Sequence, residues 1–162
     1  MKVAVFGAGA IGGHIAARLA HGGADVSVVA RGAHLVAMRA KGIRVVAPDW
    51  DETVAVRASD DPAEFGVQDA VLVTVKAPAL PSVARGIGPL LGPQTLVLLA
   101  MNGVPWWFCQ GVPGFPGGAL QSVDPGGEIA AAIPFAQVLG CVVHASTSTP
   151  EPGLVQHKMG QG

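Results

Sequence analysis

Residues 2–12 read KVAVFGAGAIG, a hydrophobic segment followed at once by three glycines in the spacing GxGxxG. Ile11, Ile15 and Leu19 then recur at the spacing of one helix face, and the glycine pair at 22–23 would end that helix. A glycine motif between a strand and a helix is the fingerprint of a dinucleotide-binding unit, whereas the same glycines alone would suit any tight turn. The sequence therefore predicts a Rossmann-type, doubly wound α/β fold with a mostly parallel sheet.

Each glycine of the motif has a separate task in such a unit. Gly7 permits the tight turn after the strand, Gly9 lets the backbone approach a pyrophosphate, and Gly12 lets the helix pack on the strand. Ala10 and Ile11 begin the helix, whose unpaired N–H groups and dipole favour an anion. We predict that these five residues bind the cofactor.

The bulk properties exclude several classes of function. The 162 residues suit one dinucleotide-binding domain over 1–162, and a net charge of −1 without a basic run argues against nucleic acid or an anionic membrane as a partner. Cys109 and Cys141 form no CxxC pair and the histidines lack metal-ligand spacing, so we predict buried thiols and no metal site. Without a leader-like or membrane-spanning segment, a cytoplasmic location is expected.

The surface is expected to be unusually apolar. Charged residues make up 13% of the chain and apolar residues 50%, against roughly 25% charged in typical soluble domains. Two explanations remain open: part of the surface is covered in the whole protein or in a homo-oligomer, or the many Ala and Gly residues raise the hydropathy harmlessly.

The pattern along the chain extends the fold prediction. After the first helix we predict strands at 25–30, 43–46, 53–57, 70–75 and 95–100, helices at 33–41 and 81–91, and a helical turn at 61–65. Eleven of the 25 residues from 103 to 127 are Gly or Pro, which predicts an irregular excursion. A helical turn at 128–133 precedes strands at 137–146 and 154–159, predicted to form an antiparallel pair at the sheet edge.

Four predicted strands end next to residues that suit a nucleotide site. In an open parallel sheet the ligand lies outside the carboxyl ends of the strands, where this chain places Gly7, Arg31, Lys76 and Asn102. An NAD site normally has an acidic residue at the end of the second strand, and Arg31 stands there instead. Because a guanidinium suits a phosphate, the sequence predicts NADP as the cofactor, unless Arg31 is only a solvated turn residue.

The functional interpretation of Lys76 and Asn102 is less specific. Lys76 is predicted to bind an anion of the cofactor or substrate, or else to be a solvated lysine. Asn102 is predicted to donate to the nicotinamide or to the substrate, or else to form a turn with Gly103. Aromatic residues 106–108 are either core or a surface for a partner domain. His144 and His157, on predicted strands, are interpreted as satisfied structural histidines.

Taken together, these residues resemble the ketopantoate reductase family, the 2-dehydropantoate 2-reductases. The resemblance rests on the glycine motif at 7–12, on Arg31, on the strand ending in Lys76, on the pair at 102–103, and on the PGLVQH segment at 152–157. It implies reduction of a small 2-oxo acid, ketopantoate, to pantoate with NADPH in pantothenate biosynthesis. It also implies that Lys76 and Asn102 line the cofactor and substrate cleft, and that Arg31 faces the 2′-phosphate.

The resemblance further implies that the catalytic lysine and a substrate-binding carboxylate belong to a second, helical domain. No catalytic residue is therefore assigned in this chain, which is expected to be the cofactor-binding half of the enzyme and inactive alone. Two other functions remain open: a non-catalytic NADP-binding or sensing module, and a related two-domain hydroxyacid or opine-type dehydrogenase.

Overall fold

The computed structural model describes residues 1–115 and 120–159. Within these ranges the strands are β1 (Lys2–Phe6), β2 (Asp25–Val29), β3 (Ile43–Ala47), β4 (Trp50–Val54), β5 (Arg57–Ser59), β6 (Ala70–Val73), β7 (Leu96–Ala100), β8 (Val138–Cys141), β9 (Ser146–Glu151) and β10 (Leu154–Met159). The helices are α1 (Ala10–His21), α2 (Gly32–Lys41), α3 (Leu80–Gly86) and α4 (Glu128–Ala132). Single 3₁₀ turns connect several of them.

A parallel sheet forms the centre of the fold. Its strand order is β5-β2-β1-β6-β7-β8, and every neighbouring pair is parallel. Along β1 the side chains alternate between two cores: Ala4 and Phe6 belong to one, which includes Leu80 and Ile129, and Val5 belongs to the other, which includes Ala16. Apolar cores on both faces confirm the predicted Rossmann-type, doubly wound fold.

A second sheet packs against α1. Its order is β4-β3-β10-β9, with an antiparallel hairpin at each end and a parallel pairing of β3 with β10 in the middle. A Cβ placed on Gly13 would approach Val155 Cγ2 to 2.8 Å, so the sheet lies directly on the helix backbone. An antiparallel pair near the C-terminus exists, but the strand that pairs with β10 is β9 and not the predicted 137–146. The pair belongs to this separate sheet, and the edge of the main sheet is the parallel strand β8.

Two predicted strands are each divided between the sheets. The prediction at 53–57 covers the end of β4, in the second sheet, and the start of β5, which pairs with β2. The prediction at 137–146 covers β8 and the start of β9, separated by the irregular segment 142–145. Apolar alternation identifies extended chain in both cases, but it does not say which sheet supplies the partner strand.

Two helix predictions also needed correction. Ile11, Ile15 and Leu19 are only half-buried, because α1 buries its small residues instead. Those small residues are Gly12, Gly13, Ala16 and Ala17. The helix predicted at 81–91 ends at Gly86, and a 3₁₀ turn at Gly88–Leu90 follows, since glycine and proline interrupt the regular hydrogen bonding.

The segment from 103 to 115 is irregular, as predicted, and its aromatic residues separate into two groups. Trp106 is 2% exposed and packs edge-to-face on Trp107 within the core shared with α3 and α4. Phe108 is 49% exposed, so a partner surface at this residue stays a prediction. Both cysteines are free, with Cys109 buried as predicted but Cys141 only partly buried.

Candidate dinucleotide site

The glycine turn stands at the carboxyl end of β1. Gly7 has φ of 103°, a conformation that side chains rarely adopt, and its carbonyl oxygen accepts from Gly9 N–H at 2.8 Å. A Cβ on Gly12 would strike the Gly7 carbonyl oxygen and Thr74 Oγ1. The protein's own packing therefore requires glycine at both positions.

Gly9 differs from the other two glycines of the motif. Its φ of −74° is open to any residue, and a Cβ placed there would meet no heavy atom within 4 Å. It lines a cavity of about 810 Å³ and immediately precedes α1, whose first turn contains no acidic residue. Ala10 and Ile11 of that turn also line the cavity, so the positive end of the helix dipole borders it with no acidic side chain in the turn.

Thr74 holds the glycine turn against the neighbouring strand. It follows β6 directly, and its hydroxyl donates to the Gly7 carbonyl oxygen at 2.6 Å. The apolar run at 70–75 places Thr74 inside the predicted strand, so the sequence pattern does not mark it as a site residue. A hydroxyl at the end of such a run, beside the first strand of a parallel sheet, was the available signal.

Three basic side chains line the cavity: Arg31, His34 and Lys76. Arg31 follows β2 and precedes α2, and its Nη2 donates to Ser82 Oγ at 3.2 Å. His34, which the sequence analysis did not single out, lies in the first turn of α2, three residues after Arg31. Among the described residues that line the cavity, none is aspartate or glutamate. The cavity is therefore suited to an anionic ligand.

The cavity has two walls of different origin. The sheet-edge wall consists of residues 6–11, 29–31, 34 and 74–76, contributed by the main sheet and by α1 and α2. The second-sheet wall consists of residues 145–149, from the start of β9 and the residue before it. Four of its five residues carry hydroxyl groups, and the sequence analysis did not anticipate their position.

The structure brings together most of the predicted site residues. Those that line the cavity are Gly7, Gly9, Ala10, Ile11, Arg31 and Lys76, with Gly12 packed behind the turn. Asn102 does not line it. Its amide nitrogen donates to the Val143 carbonyl oxygen at 3.1 Å and its amide oxygen accepts from Val143 N–H at 2.9 Å. Asn102 instead borders a smaller pocket of about 350 Å³, beside residues 140–142.

Two histidines are stacked behind the second-sheet wall. The rings of His14, on α1, and His157, on β10, lie 4.4 Å apart at 30°. His14 Nδ1, both ring nitrogens of His157 and the Thr147 hydroxyl are buried without hydrogen-bond partners in the described structure. Burial, followed by the nearby His157 and Arg18, lowers the pKa of His14. The prediction of hydrogen-bonded histidines on strands is therefore wrong in two respects: the ring nitrogens of His157 have no partner among the described residues, and His144 is exposed between strands.

None of the helices in residues 1–115 and 120–159 has the length and apolar character needed to cross a membrane. The same ranges contain no group of three or more His, Cys, Asp or Glu side chains placed to hold a metal ion.

Comparison with known proteins agrees with this geometry. Residues 3–106 match the family model for ketopantoate reductase PanE/ApbA. The chain is 45% identical to the 2-dehydropantoate 2-reductase of Mesorhizobium japonicum, over 99% of this chain and 50% of that protein.

Solved structures lead to the same family. A crystallised ketopantoate reductase homologue from Ralstonia solanacearum has 51% identity and a TM-score of 0.92, over 98% of this chain and 49% of that one. The 2-dehydropantoate 2-reductase of Porphyromonas gingivalis has 31% identity and a TM-score of 0.77, over 99% and 52%. The chain thus spans about half the length of the relatives that it matches. With the resemblance confirmed by sequence and by structure, the chain belongs to the ketopantoate reductase family.

Proposed function

We propose that this chain binds NADP(H) as the cofactor-binding half of a reductase that converts a 2-oxo acid to a 2-hydroxy acid. Ketopantoate is the first candidate substrate, because the names of the relatives specify it. The remaining half, on this proposal, is the helical domain that the family resemblance implies.

The observation that carries the proposal is the open space in front of Gly9. Gly7 and Gly12 are required by the protein's own atoms, whereas a Cβ at Gly9 would meet no heavy atom within 4 Å in the described structure. A glycine here is explained if something outside the protein must approach its backbone. A pyrophosphate seated on the first turn of α1 fits this position, because it needs close backbone contact and a positive field.

The basic side chains favour NADP over NAD. An NAD site normally offers a carboxylate to the ribose 2′-hydroxyl, and the described cavity lining has none. Arg31 stands at the end of β2, where that carboxylate is expected, and its planar guanidinium can pair with a phosphate through two parallel hydrogen bonds. We propose that Arg31 and Lys76 together bind the 2′-phosphate, with Lys76 also available to a substrate anion.

The chemistry divides between the cofactor and the protein. Bound NADPH supplies a hydride for the substrate's carbonyl carbon. The chain's own residues hold the pyrophosphate at the glycine turn and select the 2′-phosphate through Arg31. The growing negative charge on the substrate oxygen needs a proton donor within hydrogen-bond reach, and we propose that the helical domain provides it. The present chain is then expected to bind NADPH without turnover.

Calorimetry with NADPH and NADH tests the cofactor assignment. Because a charge-assisted hydrogen bond contributes about 1.5–3 kcal/mol, Arg31→Ala should weaken NADPH binding by roughly tenfold to a hundredfold and leave NADH binding nearly unchanged. Arg85→Ala is the matched control, since Arg85 is exposed and interacts with Glu128 away from the cavity. Equal losses for both cofactors in Arg31→Ala would contradict the assignment.

Absorbance of the reduced nicotinamide tests whether this chain catalyses the reduction without the helical domain. The protein incubated with NADPH and ketopantoate should bind the cofactor and show no turnover above background. Turnover comparable to that of a two-domain homologue would place the proton donor within this chain. Lys76 would then be the first residue to substitute.

A further inference from the structure

Ser82 is the hydrogen-bond partner of Arg31 and lies on α3, 51 residues further along the chain. Its hydroxyl donates its single proton to the Ala79 carbonyl oxygen at 2.8 Å. The 3.2 Å contact with Arg31 is therefore one in which the guanidinium donates and the hydroxyl accepts. Because the serine hydroxyl has only one proton, the direction of both hydrogen bonds is fixed.

The position of Ser82 is itself firmly anchored. Its helix neighbours Leu80 and Val83 are 1% and 0% exposed and belong to the main core. Pro78 and Pro81 restrict the backbone on the approach to the serine. A hydroxyl held in this way is a rigid acceptor for a long, exposed side chain.

We propose that Ser82 is a positioning residue for cofactor selection: it holds the Arg31 guanidinium at the cavity so that it is already placed for the 2′-phosphate. This inference rests on the proposed binding of NADP(H). In the described structure, Ser82 is the only hydrogen-bond or ion-pair partner of the Arg31 side chain. The guanidinium has five N–H donors, so one bond to Ser82 leaves a fork available to the phosphate.

The same short segment then sets both cations of the phosphate subsite. Lys76 begins it and lines the cavity, and the Ser82 hydroxyl, six positions later, accepts a hydrogen bond from Arg31. An unrestrained arginine loses rotamer freedom when it binds a ligand, and a tethered one has lost much of it beforehand. Pre-organisation of this kind strengthens binding without adding any contact to the ligand.

Calorimetry on Ser82→Ala is the direct test. NADPH affinity should fall by about three- to tenfold, the effect of leaving one rotamer-rich side chain unrestrained, while NADH affinity stays at the wild-type value. Ser82→Thr keeps the hydroxyl and should restore NADPH binding. In an Arg31→Ala background, Ser82→Ala should have no further effect, because its influence passes through the guanidinium.

The outcomes separate this inference from the proposed function. A selective loss of NADPH in Arg31→Ala, combined with wild-type binding in Ser82→Ala, overturns the role of Ser82 and leaves the cofactor assignment standing. Stronger NADPH binding in Ser82→Ala would mean that the serine competes with the phosphate, which also overturns it. Equal losses for both cofactors would show a purely structural role for Ser82. If Arg31→Ala is not selective, both proposals fail together.

Discussion

The two walls of the cavity in front of the glycine turn are built in opposite ways. The central part of the sheet-edge wall is one continuous segment of the chain: β1, the glycine turn and the start of α1 occupy residues 2–12. The second-sheet wall comes from residues 145–149, and its strand β9 is joined to the second sheet through β10, which pairs with β3 on its other side. More than a hundred residues of the chain separate the continuous segment 2–12 from the second-sheet wall.

Because the two walls are built differently, we expect substitutions in them to affect cofactor binding differently. In the sheet-edge wall the conformation is fixed by atoms a few residues away or on the adjacent strand, such as the bond from Thr74 to Gly7. In the second-sheet wall, the Thr147 hydroxyl and the His157 ring behind it are buried without hydrogen-bond partners. We expect the substitutions with the largest effects on binding to lie in the first wall and disturbances of the second wall to have smaller effects.

The largest expected effect comes from Gly9→Val. The new side chain would project into the space assigned to the pyrophosphate, so binding of both NADPH and NADH should fall below detection by calorimetry. The fold should be retained, because a Cβ at this position meets no protein atom within 4 Å and the backbone φ is −74°. Thermal unfolding of the variant should therefore match the wild type.

Two companion variants sharpen this comparison. Gly22→Val adds the same side chain at the other end of α1 and should leave cofactor binding intact. Gly12→Ala should instead lower stability by about 1–3 kcal/mol, because its Cβ collides with the Gly7 carbonyl oxygen and the Thr74 hydroxyl. Retained binding in a folded Gly9→Val protein would show that the phosphates lie elsewhere.

Much of the sheet-edge wall was predictable from the sequence because its residues lie directly after recognisable strands. The same closeness along the chain and between adjacent strands fixes its conformation. The glycine motif, Arg31 and Lys76 follow strands whose apolar runs are visible locally, and strands of a parallel sheet end at one edge. The pairing of β3 with β10 carries no local signal, so the hydroxyl-rich residues at 146–149 could not be assigned to the cavity. A position directly after a strand does not always belong to the site, as Asn102 shows. It also follows a strand, but its amide makes hydrogen bonds to the Val143 backbone and it does not line the cavity.

A smaller effect is expected from Thr74→Val, which tests how the glycine turn is held. The substitution removes the donor to the Gly7 carbonyl oxygen and puts a methyl group in its place. The Gly7 carbonyl oxygen keeps its hydrogen bond from Gly9 N–H, so the cost is that of one lost hydrogen bond, and urea unfolding should show a loss of about 0.5–1.5 kcal/mol. NADPH and NADH should weaken together, since the turn serves both.

Thr74→Ser is the matched control, because it keeps the hydroxyl and should recover most of the stability and of the binding. A Thr74→Val protein that binds NADH normally but NADPH poorly would contradict this assignment, since the turn would then affect only the 2′-phosphate.

The smallest effect concerns the second-sheet wall and its pH dependence. Burial, the neighbouring His157 and Arg18 lower the pKa of His14 below its usual 6.5, while Asp49 acts in the opposite direction. Above that pH the imidazole is neutral in both the folded and the unfolded chain. As the pH falls through 6.5, the unfolded chain takes up the proton first, so stability decreases. The loss levels off below the folded-state pKa.

Urea unfolding between pH 7.5 and 5.5 should show this decline, and one histidine can contribute at most about 1.4 kcal/mol per pH unit. His14→Leu should flatten the profile, because it removes the titrating ring from the stack with His157. His21→Gln is the control: that histidine pairs with Glu52 at 3.1 Å on the exposed end of α1, so the decline due to His14 should persist without it. If the free energy of unfolding of His14→Leu falls with decreasing pH as steeply as that of the wild type, protonation of His14 does not cause the decline. The expected acid sensitivity of the second-sheet wall is then wrong.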